Sequence, residues 1–209
     1  MLPINLVHHI LATTSDPPPI TALLYEYILA GNGVFKRARR DVMSATIPIS
    51  VCRVSGLASI EPEFTTSFGK VPEAMVKRII SVAEDAAVQG LESLFYLSLH
   101  DGAWMLEIPP QIQTYTSVEP CEKGAGSPYE RAVIEIHSHR LHRPEFSPDD
   151  DKDETGFRIY GVIGKLNPAS GWWPAINFRL GVYGDWWPLP ADRILEMPLK
   201  LRDHNFREE

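Results

Sequence analysis

Residues 131–151, RAVIEIHSHRLHRPEFSPDDD, bring together an apolar run, two histidines, a polar loop and an acidic segment. Residues 131–136 form a short, largely apolar run, which predicts a buried strand leading into His137 and His139. Ser147 suits the cap of a helix, and the proline and aspartates that follow it favour the first helical turn. This stretch therefore predicts a strand, a loop and the start of a helix in succession.

The two histidines can act together because side chains alternate between faces along a strand. His137 and His139 then project to one side, about 6–7 Å apart along the chain. A catalytic zinc site needs three protein ligands and an open fourth position for water. The third ligand must come from nearby chain, and the acidic run Asp149, Asp150 and Asp151 supplies several carboxylates. The histidine pair and the acidic segment each have a simpler explanation. Histidines at a strand end often only form hydrogen bonds, and acidic residues in the first turn stabilise any helix.

The sequence on either side of residues 131–151 predicts a chain of helices and strands in two parts. Residues 1–69 predict a small β-rich N-terminal unit with a hairpin around an Asn-Gly turn. Residues 70–209 begin with a helix, because Pro72 suits its first position, apolar residues recur at helical spacing, and Gly90 suits its C-terminal cap.

Strands are predicted through much of the second part. Residues 91–99 and 104–108 predict a hairpin, and further strands are predicted at 157–163 and 176–183. Residues 109–129 are polar and contain prolines and glycines, so we predict a long loop there. Interleaved helices and strands place the chain in the α/β or α+β class, with a mostly antiparallel sheet.

Composition narrows the classes of function. The 209 residues carry a net charge of -7, which argues against DNA or RNA as the main partner, since phosphate binding needs clustered lysine and arginine. No apolar run approaches the roughly 18 residues that a membrane helix needs. Cys52 and Cys121 lie far apart and outside any CxxC pattern, so we expect neither a disulfide framework nor a thiolate zinc site. The expected setting is the reducing cytoplasm, with no membrane as partner.

The spacing of five residues resembles the JAMM motif, which defines the metal-dependent members of the JAB/MPN family. Ser147 and Asp150 follow His139 by eight and eleven residues, and His137 completes the His-x-His pair. The family also has a glutamate at the start of a strand that follows a helix. Glu92 stands in that place, 45 residues before His137. The resemblance covers a little over half of the chain.

Within this family of zinc metalloproteases, the chain is similar to the bacterial PRTRC system protein A group. The segments that carry this similarity are residues 32–35, 92–109 and 178–188. Two positions depart from the family pattern: Arg140 and Phe146 stand where proline is frequent, after the second histidine and before the serine. Both positions shape the loop and bind no metal, so the ligand set is unaffected.

The resemblance implies a JAMM/MPN-type fold, a cytidine-deaminase-like mixed β-sheet flanked by helices. It implies one Zn²⁺ per chain, held by His137, His139 and Asp150. Glu92 would accept a proton from the attacking water and pass it to the leaving amine. Ser147 would donate a hydrogen bond to the oxyanion or help to hold the water.

The activity implied by the resemblance is that of a zinc isopeptidase or peptidase. It would cleave the amide bond after the C-terminal glycine of a ubiquitin-like protein, in deconjugation or in precursor maturation. The implied partners are the ubiquitin-like protein, its conjugates, and E1- or E2-like proteins encoded nearby. Two other functions remain open: a non-catalytic MPN scaffold in a conjugation complex, and a zinc amidohydrolase acting on a small-molecule or sulfur-carrier adduct. The complete ligand set favours an enzyme over a scaffold.

Alternatives also remain open for single residues. Glu135, on the same strand face as the histidines, and Glu107 could replace Glu92 as the base. Either neighbouring aspartate could replace Asp150, and Ser147 could serve only as a helix cap. Candidates for substrate contact are Trp172 and Trp173, for which core packing is the simpler explanation.

Overall fold

Strands dominate the computed structural model of the chain, which describes residues 5–167 and 173–205. The chain divides into two compact units. The first comprises Met1–Phe68, Lys152–Phe157 and Gly181–Trp187, and the second comprises Gly69–Asp151, Arg158–Leu180 and Pro188–Glu209. Two short segments that the sequence assigned to the second domain thus belong to the first unit.

The N-terminal residues form a five-stranded sheet. Its strands, in spatial order, are β1 (Val7–Leu11), β2 (Tyr25–Ala30), β3 (Gly33–Arg40), β4 (Met43–Val51) and β5 (Glu63–Thr66). β1 and β2 are parallel, and the other neighbouring strands are antiparallel. The predicted hairpin is confirmed between β2 and β3. A Cβ atom at Gly33 would lie 2.2 Å from the Ser50 carbonyl oxygen, so the approach of β4 requires glycine there.

The helix predicted at the start of the second part is confirmed as α1 (Glu73–Val88), whose buried side chains recur at helical spacing. Gly90 follows the helix and turns the chain, because its φ of 82° lets the Leu91 N–H reach the Ala86 carbonyl oxygen at 3.0 Å. This turn determines the direction in which the chain continues to Glu92.

The hairpin predicted after α1 is confirmed as β6 (Leu94–His100) and β7 (Ala103–Glu107). The prediction of a long loop at residues 109–129 is wrong, because that stretch contains further elements. They are β8 (Gln111–Gln113), β9 (Val118–Pro120) and the start of α2 (Pro128–Arg131). The β8–β9 hairpin lacks a long apolar alternation and is held by polar side chains, so hydrophobic periodicity does not reveal it.

A second sheet carries the two histidines. The remaining elements are β10 (Ile134–His139), α3 (Pro148–Asp153), β11 (Phe157–Gly164), β12 (Ala175–Val182), β13 (Asp185–Leu189), α4 (Ala191–Ile194) and β14 (Arg202–Asp203). The sheet order is β13-β12-β11-β10-β6-β7, and β14 pairs with β12. β10 is antiparallel to β6 and parallel to β11, so the sheet is mixed. The predicted mixture of helices and strands is confirmed, with strands in the majority.

A buried ion pair lies inside the N-terminal sheet. The Glu26 side chain is 0% exposed, and its Oε2 accepts a hydrogen bond from Arg37 Nε at 3.0 Å. Burial raises the pKa of Glu26, but hydrogen bonds from the Thr21 N–H and Arg37 outweigh burial and hold that pKa below its ordinary value. The pair therefore stabilises the fold only while both partners are present.

Replacing Arg37 with alanine should lower the free energy of unfolding by about 3–5 kcal/mol, because it leaves a buried carboxylate unpaired. The control is Arg39→Ala, at an exposed position two residues along the same strand, which should change that energy by no more than about 0.5 kcal/mol. Urea unfolding at pH 7 measures both variants. Equal losses would contradict a special role for the pair.

Candidate metal centre

Strand β10 fixes the position of both histidines. His137 lies between Leu94 of β6 and Val162 of β11 in the sheet register. Alternation places His137 and His139 on one face of the strand. Ile136, which is 1% exposed, faces the opposite side and anchors the strand in the core. The histidines thus project from a rigid element.

The chain after β10 folds back along the end of β11. The Arg140 carbonyl oxygen accepts a hydrogen bond from the Leu166 N–H at 2.6 Å, and the His142 carbonyl oxygen accepts one from the Lys165 N–H at 2.8 Å. A Cβ atom at Gly164 would lie 2.3 Å from the His142 carbonyl oxygen. Only glycine permits this close return, which leads the chain towards α3 and its acidic first turn.

His137, His139 and Asp150 lie close enough together to hold a metal ion. Their ligand atoms are all within 4.8 Å of one another. His137 Nε2 lies 3.0 Å from His139 Nε2 and 3.2 Å from Asp150 Oδ1. Ligands bound to tetrahedral zinc at their usual distances are about 3.3 Å apart. Two imidazoles and one carboxylate with this spacing fit a zinc site that keeps one position open.

The start of α3 holds Asp150 in place. The Asp150 N–H donates to Ser147 Oγ at 3.2 Å, and the Ser147 N–H donates to Asp150 Oδ2 at 2.6 Å. This is the reciprocal arrangement of a capping box, with aspartate in place of the usual glutamate. The cap engages Oδ2, while Oδ1 lies nearest His137. Ser147 therefore caps the helix, as one of its two predicted roles requires.

The neighbouring aspartates are arranged differently. Asp151 Oδ1 lies 2.6 Å from Arg179 Nη1, and the Asp151 side chain is 45% exposed. Asp149 is also exposed. Among the residues that the structure describes, Asp150 is the aspartate that joins the two histidines.

The three ligands are mostly buried, with side chains 12%, 16% and 18% exposed for His137, His139 and Asp150. Burial, followed by repulsion from His137, lowers the pKa of His139 to about 4. Burial raises the pKa of Asp150, but hydrogen bonds and attraction from His137 and Ser147 outweigh it and hold that pKa well below its usual range. His139 is therefore neutral and Asp150 ionised at pH 7, the forms that bind metal.

Glu92 reaches the same face through the pairing of β10 with the chain before β6. The Ser93 N–H donates to Ser138 Oγ at 2.8 Å, and the Ser138 N–H donates to the Ser93 carbonyl oxygen at 2.9 Å. Since His137 pairs with Leu94, the same register places Glu92 opposite His139. Residues directly opposite in an antiparallel pair share a face.

The β8–β9 hairpin holds Glu92 from the other side. The Glu92 N–H donates to the Thr114 carbonyl oxygen at 3.1 Å. Gln113 Nε2 donates to the Glu92 carbonyl oxygen, and Gln111 Oε1 accepts from the Leu94 N–H at 2.7 Å. The stretch predicted as a loop is thus a support for the candidate base.

The Glu92 carboxyl group is poised to exchange a proton near neutral pH. Glu92 is 6% exposed. Burial is the main cause that raises its pKa to about 7. The neighbouring groups His137 and Arg140 lower this pKa by less, and Asp150 raises it. A carboxyl group with this pKa can accept and release a proton at physiological pH.

The two rival bases are engaged elsewhere. Glu135 Oε2 lies 2.6 Å from Arg158 Nη1, and Glu107 Oε1 lies 3.1 Å from Arg131 Nη2. Glu92 makes no side-chain hydrogen bond or ion pair with any residue in 5–167 or 173–205. Of the three carboxylates, Glu92 is therefore the one free to act on a bound molecule.

The tryptophan candidates receive no support as site residues. Trp172 lies outside the described residues. Trp173 is 41% exposed, and the Arg202 guanidinium lies 4.2 Å from the centre of its ring. Sequence reasoning missed the roles of Gln111 and Gln113, whose amide contacts depend on a fold that local sequence does not reveal.

No protein-family model matches the chain, and no curated protein matches it significantly. Within residues 5–167 and 173–205, helices long and apolar enough to cross a membrane are absent.

The wild-type protein, once supplied with zinc, should retain about one zinc per chain, as a single three-ligand site would. His137→Ala and Asp150→Ala should each lose it, because two protein ligands hold zinc poorly. The controls are His142→Ala and Asp151→Asn, which remove a nearby exposed imidazole and a neighbouring carboxylate. Elemental mass spectrometry after gel filtration gives the metal content. Zinc retained by both ligand variants would contradict the assignment.

Proposed function

We propose that the chain is a zinc-dependent peptidase of the JAMM type. It would cleave the amide bond that follows the C-terminal glycine of a ubiquitin-like protein, during deconjugation or maturation. The observation that carries the proposal is the placement of a buried carboxyl group, Glu92, on the face that bears the His137, His139 and Asp150 cluster. The order and spacing of these residues along the chain are those on which the JAMM resemblance rests.

Zinc held by His137, His139 and Asp150 would supply Lewis acidity, lowering the pKa of a bound water from 15.7 to about 7. Glu92 would take the proton from the attacking water and later give it to the leaving amine. Its pKa of about 7 suits both steps, since neither protonation state is strongly favoured at neutral pH.

Ser147 can add a hydrogen bond to its role as a cap. Its Oγ accepts from the Asp150 N–H, which uses a lone pair and leaves the hydroxyl proton available. A donor at this place would stabilise the negative charge that develops on the carbonyl oxygen. In other hydrolases, losing such a donor costs about 10²–10³ in rate.

Features around the site agree with a protein substrate. Tyr115 and Leu141 are 59% and 52% exposed, and they lie in the two loops that flank Arg140. Exposed apolar side chains beside a reaction site are suited to bind another protein. Cys52 and Cys121 are free thiols on the surface, which suits the proposed cytoplasmic setting. E1- and E2-like proteins remain proposed partners.

Glu92→Gln should abolish cleavage while leaving zinc binding intact, because the amide keeps the shape of the side chain but cannot accept the proton. We expect kcat to fall by about 10²–10⁴. Glu107→Gln, at the rival glutamate, is the matched control and should keep its activity. Both zinc-loaded variants are tested on a ubiquitin-like protein whose C-terminal glycine is joined either to a lysine side chain or to the α-amine of one further amino acid, and activity on either substrate counts. Full activity of Glu92→Gln would contradict the role of the base, whereas an inactive wild-type protein that binds zinc would favour the scaffold.

The pH profile provides an independent check. Because the base must be ionised, kcat/KM should fall about tenfold per pH unit below the pKa of Glu92, which is about 7. Residual cleavage by Glu92→Gln should lack this decline. Initial rates are measured between pH 5 and pH 9 in buffers of constant ionic strength. Bound zinc lowers the pKa of a neighbouring carboxyl group, so the decline in the zinc-loaded enzyme should begin below pH 7. A profile that is flat down to pH 5, with zinc content unchanged, would contradict Glu92 as the base.

A further inference from the structure

Arg140 is an unusual neighbour for a metal centre. It follows His139 directly, at a position of left-handed backbone with a φ of 28°. The residue is only 9% exposed, and its guanidinium carbon lies 3.8 Å from the centre of the Tyr115 ring. Arg140 is therefore a buried cation stacked on an aromatic ring, one residue from a predicted metal ligand.

The Arg140 side chain has no anionic partner in the parts of the chain that the structure describes. Its Nε is buried and lacks a hydrogen-bond acceptor. None of its side-chain nitrogens forms an ion pair or hydrogen bond with residues 5–167 or 173–205, and only Nε is fully shut off from the surface. Buried arginines in proteins are ordinarily paired, because removing a charge from water without compensation is costly. An external anion is the natural partner for such a group.

The surroundings of Arg140 connect it to the reaction site. Tyr115 follows Thr114, whose carbonyl oxygen accepts the Glu92 N–H at 3.1 Å. Arg140 is also close enough to Glu92 to influence its charge, without forming an ion pair with it. Tyr115 is thus connected to Glu92 through its neighbour Thr114, and Arg140 is connected to the metal cluster because it directly follows His139.

Stacking leaves the edge of the guanidinium plane available for hydrogen bonds. Its N–H groups form a planar fork that matches a carboxylate, which arginine binds through two parallel hydrogen bonds. A backbone carbonyl offers a single oxygen and no charge, so it would leave the buried cation uncompensated. The chemistry of the site therefore favours a carboxylate.

We infer that Arg140, stacked on Tyr115, binds a free carboxylate of the substrate beside the bond to be cleaved. The inference rests on the proposed function and narrows its substrate class. The leaving group would be an amino acid with a free carboxylate, joined through its α-amine to the C-terminal glycine, and not a lysine side chain within a folded protein. Water adds to the glycine carbonyl carbon, the C–N bond breaks, and the departing amine receives a proton.

Binding can be tested without catalysis. N-acetylglycine carries an amide and a carboxylate in the expected relation, and N-acetylglycinamide is its uncharged counterpart. Both are titrated by NMR into the metal-free, full-length protein, so that zinc cannot bind the carboxylate. The wild-type protein should bind N-acetylglycine about 10- to 100-fold more tightly, as expected for charge-assisted hydrogen bonds. Equal affinity for the two compounds would overturn the inference.

Variants identify the residue responsible. Arg140→Ala should lose the preference for the carboxylate, and Arg140→Lys should keep part of it, since lysine retains the charge but not the fork. Arg143→Ala is the matched control, because this substitution removes an equal charge three residues away. The Arg143 side chain is 67% exposed. An unchanged preference in Arg140→Ala, or an equal loss in Arg143→Ala, would assign the carboxylate to another site.

Cleavage separates this inference from the proposed function. The zinc-loaded protein is given two peptides that continue a ubiquitin-like Gly-Gly terminus by one amino acid, one ending in a carboxylate and the other in an amide. A kcat/KM about tenfold or more higher for the carboxylate is expected, as for loss of a charged hydrogen bond. Equal cleavage of the two peptides would support the proposed peptidase function and overturn the role of Arg140. Cleavage of neither, with the binding preference intact, would overturn the peptidase alone.

Discussion

Two hydrogen bonds between Ser93 and Ser138 are the constraint on which the candidate site depends. They continue the antiparallel pairing of β10 with the chain just before β6, one through the Ser93 carbonyl oxygen and the other through the Ser138 hydroxyl group. Because pairing in a sheet fixes which side chains share a face, this extension brings Glu92 to the side of His137 and His139. A shift of one residue would turn the glutamate to the opposite face. The register therefore determines whether a base can lie beside the metal ligands.

Electrostatics divides the acidic groups of the site into two roles. Asp150 is held ionised by His137 and by the Ser147 N–H, whereas burial of Glu92 favours its protonated form. Two carboxyl groups with pKa values pushed in opposite directions are typical of sites that need one permanent anion and one proton carrier. Burying the Glu92 carboxyl group is unfavourable in free energy, and the surrounding fold compensates because it holds the Glu92 backbone on both sides.

The sequence predicted the parts of the site that depend on local pattern. The helix that ends before Gly90, the strand before His137 and the capped turn at Ser147 all follow from short-range preferences. The β8–β9 hairpin did not, because its support for Glu92 consists of glutamine amides that meet their partners only after folding. Arg140 was visible only as a departure from the family pattern, since burial and stacking on Tyr115 are tertiary facts. The membership of residues 152–157 and 181–187 in the first unit is likewise invisible to local periodicity.

Anomalous diffraction at the zinc edge, from crystals of the zinc-loaded protein, would show whether His137, His139 and Asp150 hold the metal. We expect a single strong peak about 2.0–2.2 Å from His137 Nε2, His139 Nε2 and Asp150 Oδ1. The Glu92 carboxyl should lie outside the coordination sphere, near the open position. A peak on His142 or on Asp149 and Asp151, or zinc coordinated by Glu92 itself, would contradict the account.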